Sequence, residues 1–196
     1  GYNAVQLGRD KDALKALWVQ LKMNGALAEG IGIREMPEEW FESIDGKNDN
    51  PMITSIKVFY CNRLMEMHKF EQTKEEIKKV LESNMVLVGV YRYLLICDYI
   101  YCELIDGNIT EAEEFYTKDL QKFMKSMKKF PAILRTKYTY ELLHNKDSKQ
   151  AEKLRTLFNI MSEKYPYTSD IEAENELMDI AKSIYDGVMD NKINKK

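Results

Sequence analysis

"DGNITEAEEFY", residues 106–116, reads as the turn of a helix hairpin. Asp106-Gly107-Asn108 has the composition that ends one helix. Thr110, Glu111, Glu113 and Glu114 open the next, with acids at the positive end of its dipole. Whether this hairpin stands alone decides the fold. Sliding the chain against itself by 39 residues carries Tyr60 onto Tyr99 and then onto Tyr138. The same step carries Thr73 onto Ala112 and Ala151, and Gln72 onto Glu111 and Gln150. The turn at Lys69 meets Asn108 and Asp147.

The segments "FYCNRLMEMHKFEQTKEEIKKVL", "DYIYCELIDGNITEAEEFYTKDL" and "YTYELLHNKDSKQAEKLRTLF" are thus read as one helix-turn-helix written three times. A single hairpin cannot bury its apolar faces, so the expected fold is all-α, with hairpins stacked side by side. A small residue at 73, 112 and 151 lets the second helix lie close to the first, and the tyrosines fill the space between.

Apolar periodicity and turn residues predict helices over 10–28, 53–68, 72–83, 86–105, 110–128, 132–144, 148–164 and 171–189, with a short one in "PEEWFESI" (37–44). The segment 45–51 is expected to be a loop, and "NKINKK" a frayed end. Period-two alternation is lacking, so strands are not expected. The chain divides into an N-terminal helix and junction (1–50), three hairpins (51–167) and a capping helix with its tail (168–196), expected to form one compact domain. Ile171, Leu177, Ile180, Ala181, Ile184 and Val188 form the cap's apolar face.

Charged residues make up 31% and the net charge is only -3, so no basic face points to nucleic acid. The longest apolar stretch, "MVLVGVYRYLLICDYIYCELI", is interrupted by Arg92, Asp98 and Glu103 and reads as a buried helix, not a membrane span. Nothing in the first residues reads as a signal peptide, since Arg9, Asp10, Lys11 and Asp12 stand where an apolar run is needed. Cys61, Cys97 and Cys102 lie in apolar helical contexts, as buried free thiols would in a reducing cytoplasm.

Motifs for chemistry are sparse. His68 and His144 are read as helix terminators rather than catalytic groups. There is no H-E-x-x-H and no phosphate-cradling G-x-x-x-x-G-K-[ST], and no cofactor or metal is expected. "KFMKSMKKF" (122–130) mixes lysines with apolar residues and reads as a solvated face over core positions, with a membrane-surface or acidic-partner role as the alternative.

The residue two after each repeated tyrosine lies about 200° round its helix and should face a concave groove. Those residues are Asn62, Tyr101 and Tyr140, with Met65, Glu66 and His144 a turn further on. Such a groove would bind a protein or peptide.

The small-then-bulky pairs Thr73/Ile77 and Ala112/Tyr116 resemble those of tetratricopeptide repeats. Ala151/Arg155 departs from the pattern, and there Leu154 and Phe158 are expected to take over. Residues 1–41, and "GIGIREMPEEW" (30–40) above all, resemble the segment after the membrane domain in a group of bacterial site-2-protease-like zinc metalloproteases. The resemblance implies the cytoplasmic, non-catalytic tail of a membrane-embedded protease, close to the membrane through its parent. The alternative expectation is a free-standing signalling protein that senses a peptide; an all-helical enzyme is a third.

Overall fold

The computed structural model describes residues 10–42, 50–83 and 85–193, with side chains described to Val188. The expectations for 1–9, for 43–49 and for the tail from 194 lie outside these residues. The described residues are all-helical, with no strand among them. None of their helices is long and apolar enough to cross a membrane. The chain falls into two compact units, Gly1–Leu95 and Ile96–Lys196.

In the first unit, helix α1 (Lys11–Ala28) begins where the Asp10 carboxylate accepts from the Ala13 amide. It ends at Glu29, with Gly30 at φ 82. Two 3₁₀ turns follow, Ile33–Glu35 and Glu38–Trp40, the second standing where a short α-helix was expected. Asn50 caps α2 (Pro51–Glu66), whose first residue is a proline that needs no amide partner there. Helix α3 (Phe70–Glu82) completes the first hairpin. The starts of α1 and α2 are tied by Asn50 Nδ2 donating to Asp10 at 3.2 Å. At the other end Arg63 donates to the Met36 carbonyl at 2.9 Å, and the Arg34 amide donates to Glu66 at 3.0 Å. The two helices therefore run parallel. Ala16, Val19, Met23, Ile53 and Ile56 form the core between them, which Ile33, Met36 and Phe41 close.

Helix α4 (Gly89–Asp106) leads into the second unit, followed by α5 (Ile109–Phe115), α6 (Lys118–Ser126), α7 (Pro131–Thr139), a π-turn (Tyr140–His144), α8 (Ser148–Ser162) and α9 (Thr168–Ile193). The helix expected over 110–128 is broken. Tyr116 leaves helical geometry at ψ 53, and the Thr117 hydroxyl caps a fresh start by accepting from the Leu120 amide. The last turn of 132–144 is a π-turn, with the Asn145 amide bonded to the Tyr140 carbonyl.

The 39-residue spacing is visible in the backbone. Residues 68, 107 and 146 all take positive φ, at 56°, 82° and 57°. The next residue in each case, Lys69, Asn108 or Asp147, is the N-cap of the second helix. Lys69 and Asn108 also donate back to the carbonyls of Leu64 and Glu103, the reverse bond that closes a helix on a left-handed residue. In the third turn the bond reaches Glu141 instead, displaced by the π-turn. Thr73, Ala112 and Ala151 are all buried one turn into the second helix. Ile56/Leu95/Leu134, Cys61/Ile100/Thr139 and Met65/Leu104/Leu143 are three further sets at this spacing, and all are at most 3% exposed. The three cysteines are buried free thiols.

One further step of 39 from Leu134, Tyr138, Thr139 and Leu142 reaches Ala173, Leu177, Met178 and Ala181, again all buried. The capping helix α9 thus takes the place of the first helix of a fourth unit. Contacts within the second unit agree. Thr136 donates to the Cys97 carbonyl 39 residues back, and Arg135 pairs with Glu174 39 residues on. A constant offset of this kind means that α4, α7 and α9 run parallel, side by side.

At Gly107 a built Cβ would meet nothing within 4 Å, so only the left-handed backbone resists a side chain there. Gly107→Ala is expected to lower stability by about 1 kcal/mol, measured by urea unfolding. An unchanged midpoint would mean the turn relaxes away from positive φ.

Candidate functional site

The first hairpin carries a cleft of about 500 Å³. Lys57 and Tyr60, three apart on α2, form one wall, and Glu76, Lys79, Val80 and Ser83 on α3 form another. Glu38, Phe41 and Glu42 close a third side, with Met85 from the segment after α3. Phe41 and Val80 are buried and make an apolar floor, and Tyr60 is half-buried above it. The charged groups stand at the rim. Lys79 bonds Glu76 at 2.7 Å, a contact that raises its pKa through the hydrogen bond first and the charge of Glu76 second.

The repeat explains why this space is open. Tyr99 packs on Phe115 of its own hairpin, ring centres 4.6 Å apart, and donates to Glu111 at 2.9 Å. The residue corresponding to Phe115 in the first hairpin is Glu76, which turns to Lys79. Tyr60 therefore lacks the aromatic cover that Tyr99 has. Tyr99 and Tyr138 are buried while Tyr60 is not.

The six groove residues fare differently. Asn62 and Glu66 are half-buried in the first unit, where Glu66 accepts from the Arg34 amide. Met65 is 3% exposed, a core residue rather than a groove wall. Tyr101 is wholly buried: its hydroxyl donates to the Leu177 carbonyl at 2.9 Å, and the Arg135 guanidinium lies 4.9 Å from its ring centre. The face predicted to be open at Tyr101 is covered by α9. Tyr140 and His144 do come together. The Tyr140 ring stacks between Tyr116, at 3.9 Å, and His144, at 4.3 Å. His144 Nε2 lies 2.5 Å from Glu113, and Nδ1 lies 2.7 Å from the Asn145 side-chain oxygen. This half-exposed shelf of rings joins the second hairpin to the third.

The most polar interior point is Arg135, 1% exposed. It pairs with Asp98 and, at 2.8 Å, with Glu174, and it also donates to the Cys97 carbonyl. Desolvation opposes the guanidinium charge, and the charges of Glu174 and Asp98 more than offset it. Burial pushes Asp98 up to about 6 even with Arg135 beside it. Asp170 is also pushed up to about 6, by burial and then by the charge of Glu174. Burial raises the Cys97 thiol to about 12. Arg135, Asp98 and Glu174 hold α4, α7 and α9 together. Among the described residues no group of three or more His, Cys, Asp or Glu could hold a metal ion.

Neither the cleft nor the Arg135 centre was singled out from the sequence. The signal for the cleft was the glutamate at 76, where the second hairpin has Phe115. Comparison with protein-family models, with curated proteins and with solved structures finds no match for this chain.

Proposed function

We propose that this chain is a non-catalytic helical-repeat module that binds a protein or peptide, its hairpins stacking as a tetratricopeptide-like superhelix. The cleft of the first hairpin seats an apolar side chain of the bound segment. The observation that carries this reading is the apolar floor of Phe41, Val80 and Tyr60 beneath a charged rim. Its volume, about 500 Å³, falls in the range of sites that enclose ligands. The recurring turn geometry at 68, 107 and 146 and the parallel α4, α7 and α9 support the stacking.

The setting we propose is the cytoplasmic tail of a membrane-embedded zinc metalloprotease, on the resemblance carried by residues 1–41. A reading frame upstream that encodes membrane segments and H-E-x-x-H would support it. A start codon there would favour the free-standing peptide sensor.

Binding is tested by selecting peptides from a displayed random library on the native protein. Each is then measured against Tyr60→Ala and Lys57→Glu, both at partly exposed positions. Selected peptides should lose about 30-fold in affinity on Tyr60→Ala, the effect of truncating an anchor contact, with the helical signal unchanged. Peptides that bind the variants equally well would remove the cleft from the reading, and a selection that yields none would remove the binding function.

A further inference from the structure

We infer that the outer face of α1 is a docking surface for an anionic lipid membrane. Helix α1 is apolar on two sides. Ala13, Ala16, Val19 and Met23 face the core at 2% exposure or less. On the other side Leu14, Trp18 and Leu21 are 40%, 54% and 61% exposed. At 100° per residue these three lie within an arc of about 60°. Lys11, Lys15 and Lys22 follow along one edge of that arc, all exposed.

Acids are kept off this face. Asp10 is engaged with the Ala13 amide and Asn50, Asp12 lies about 160° round the helix from Leu14, and no carboxylate occurs from Ala13 to Ala28. Trp18 stands on this face, and Trp40, partly buried against the core, lies next to Lys22 at its edge. The Lys22 ammonium lies 3.6 Å from the ring centre of Trp18 and 5.4 Å from that of Trp40.

Leucines and tryptophan on one side, lysines along the edge and a structured core behind are the requirements of a helix that lies in the membrane plane. The leucines enter the acyl boundary, the Trp18 indole takes the headgroup level and the lysines meet lipid phosphates. A second copy of the chain fits less well, because it would bring three more lysines to an arc of α1 that carries three lysines and no carboxylate among the described residues. The helix lies on the membrane and does not span it, in keeping with its length and polarity.

The test uses the whole chain with phosphatidylcholine vesicles and with vesicles enriched in phosphatidylserine. Since Trp18 belongs to this face, tryptophan emission should shift to the blue on the anionic vesicles, and the protein should float with them at low salt. Binding should weaken as salt is raised. Lys11→Gln, Lys15→Gln and Lys22→Gln together should lower anionic partitioning on the order of 100-fold. Leu14→Asp with Leu21→Asp should abolish the emission shift. All these positions are exposed, and circular dichroism verifies that each variant folds. Failure to bind anionic vesicles, or equal binding to neutral ones, would overturn the inference. So would a concentration-dependent dimer abolished by Leu14→Asp, which would assign the face to a second copy.

Discussion

Arg135→Met is expected to destabilise the protein by about 3–5 kcal/mol, the largest loss of any single substitution considered for this chain. The guanidinium is 1% exposed and faces Asp98 and Glu174, whose side chains are only 9% and 15% exposed. Methionine fills much of the volume but leaves both carboxylates without their cation. Removing one member of a buried ion pair costs more than the pair contributes, because the remaining charge keeps its desolvation penalty. The Cys97 carbonyl also loses a donor. Urea unfolding of the variant, followed by far-UV circular dichroism, checks the value. Adding Asp98→Asn should recover part of the loss, since one stranded charge is then neutral. A loss below about 1 kcal/mol would mean that water reaches the two carboxylates when the cation is gone.

The hairpin turns were legible because their chemistry is local. Gly107 with Asn108, and Asp147 ahead of "SKQA", are signals that need no tertiary context. The break at Tyr116–Thr117 was not legible. The apolar period runs through it, and at the break the Thr117 cap is joined by the stacking of Tyr116 on Tyr140, a contact between hairpins. Tyr101 was misplaced for a similar reason. A helical wheel shows which side faces away from the hairpin partner, but not that α9 covers that side. The 39-residue step from Leu134 to Ala173 and from Tyr138 to Leu177 carries that information past the third hairpin, where apolar residues alone no longer mark a repeat. Arg135 stands in an apolar helix, and its partners at 98 and 174 become evident only once the parallel order of α4, α7 and α9 is known. The open cleft at Tyr60 depends on one substitution within the repeat, Glu76 for Phe115, which periodicity averages away.

The same centre should give the protein an unusual pH dependence. Asp98 and Asp170 both have folded values of about 6, above the ordinary 3.8. A carboxyl whose folded pKa is raised binds its proton more tightly when folded. Its favourable contribution is complete below the unfolded value and is lost as pH rises from about 4 to about 6. Asp98 faces Arg135 and Glu174, and Asp170 faces Glu174, one turn further along α9. Taking up a proton brings the buried centre closer to neutrality. A shift of about two units on one group corresponds to roughly 3 kcal/mol, and Asp98 and Asp170 are coupled through Glu174, so the two together are assigned that amount. Between pH 7 and pH 5 the urea midpoint should therefore rise, against the usual loss from exposed ion pairs. Asp170→Asn should raise stability at pH 7 and flatten the slope, because the amide stands permanently in the neutral state. A wild-type midpoint that falls steadily from pH 7 to pH 5 would show that Asp98 and Asp170 stay ionised throughout. The raised values would then have to give way to a centre in which Arg135 dominates both neighbours.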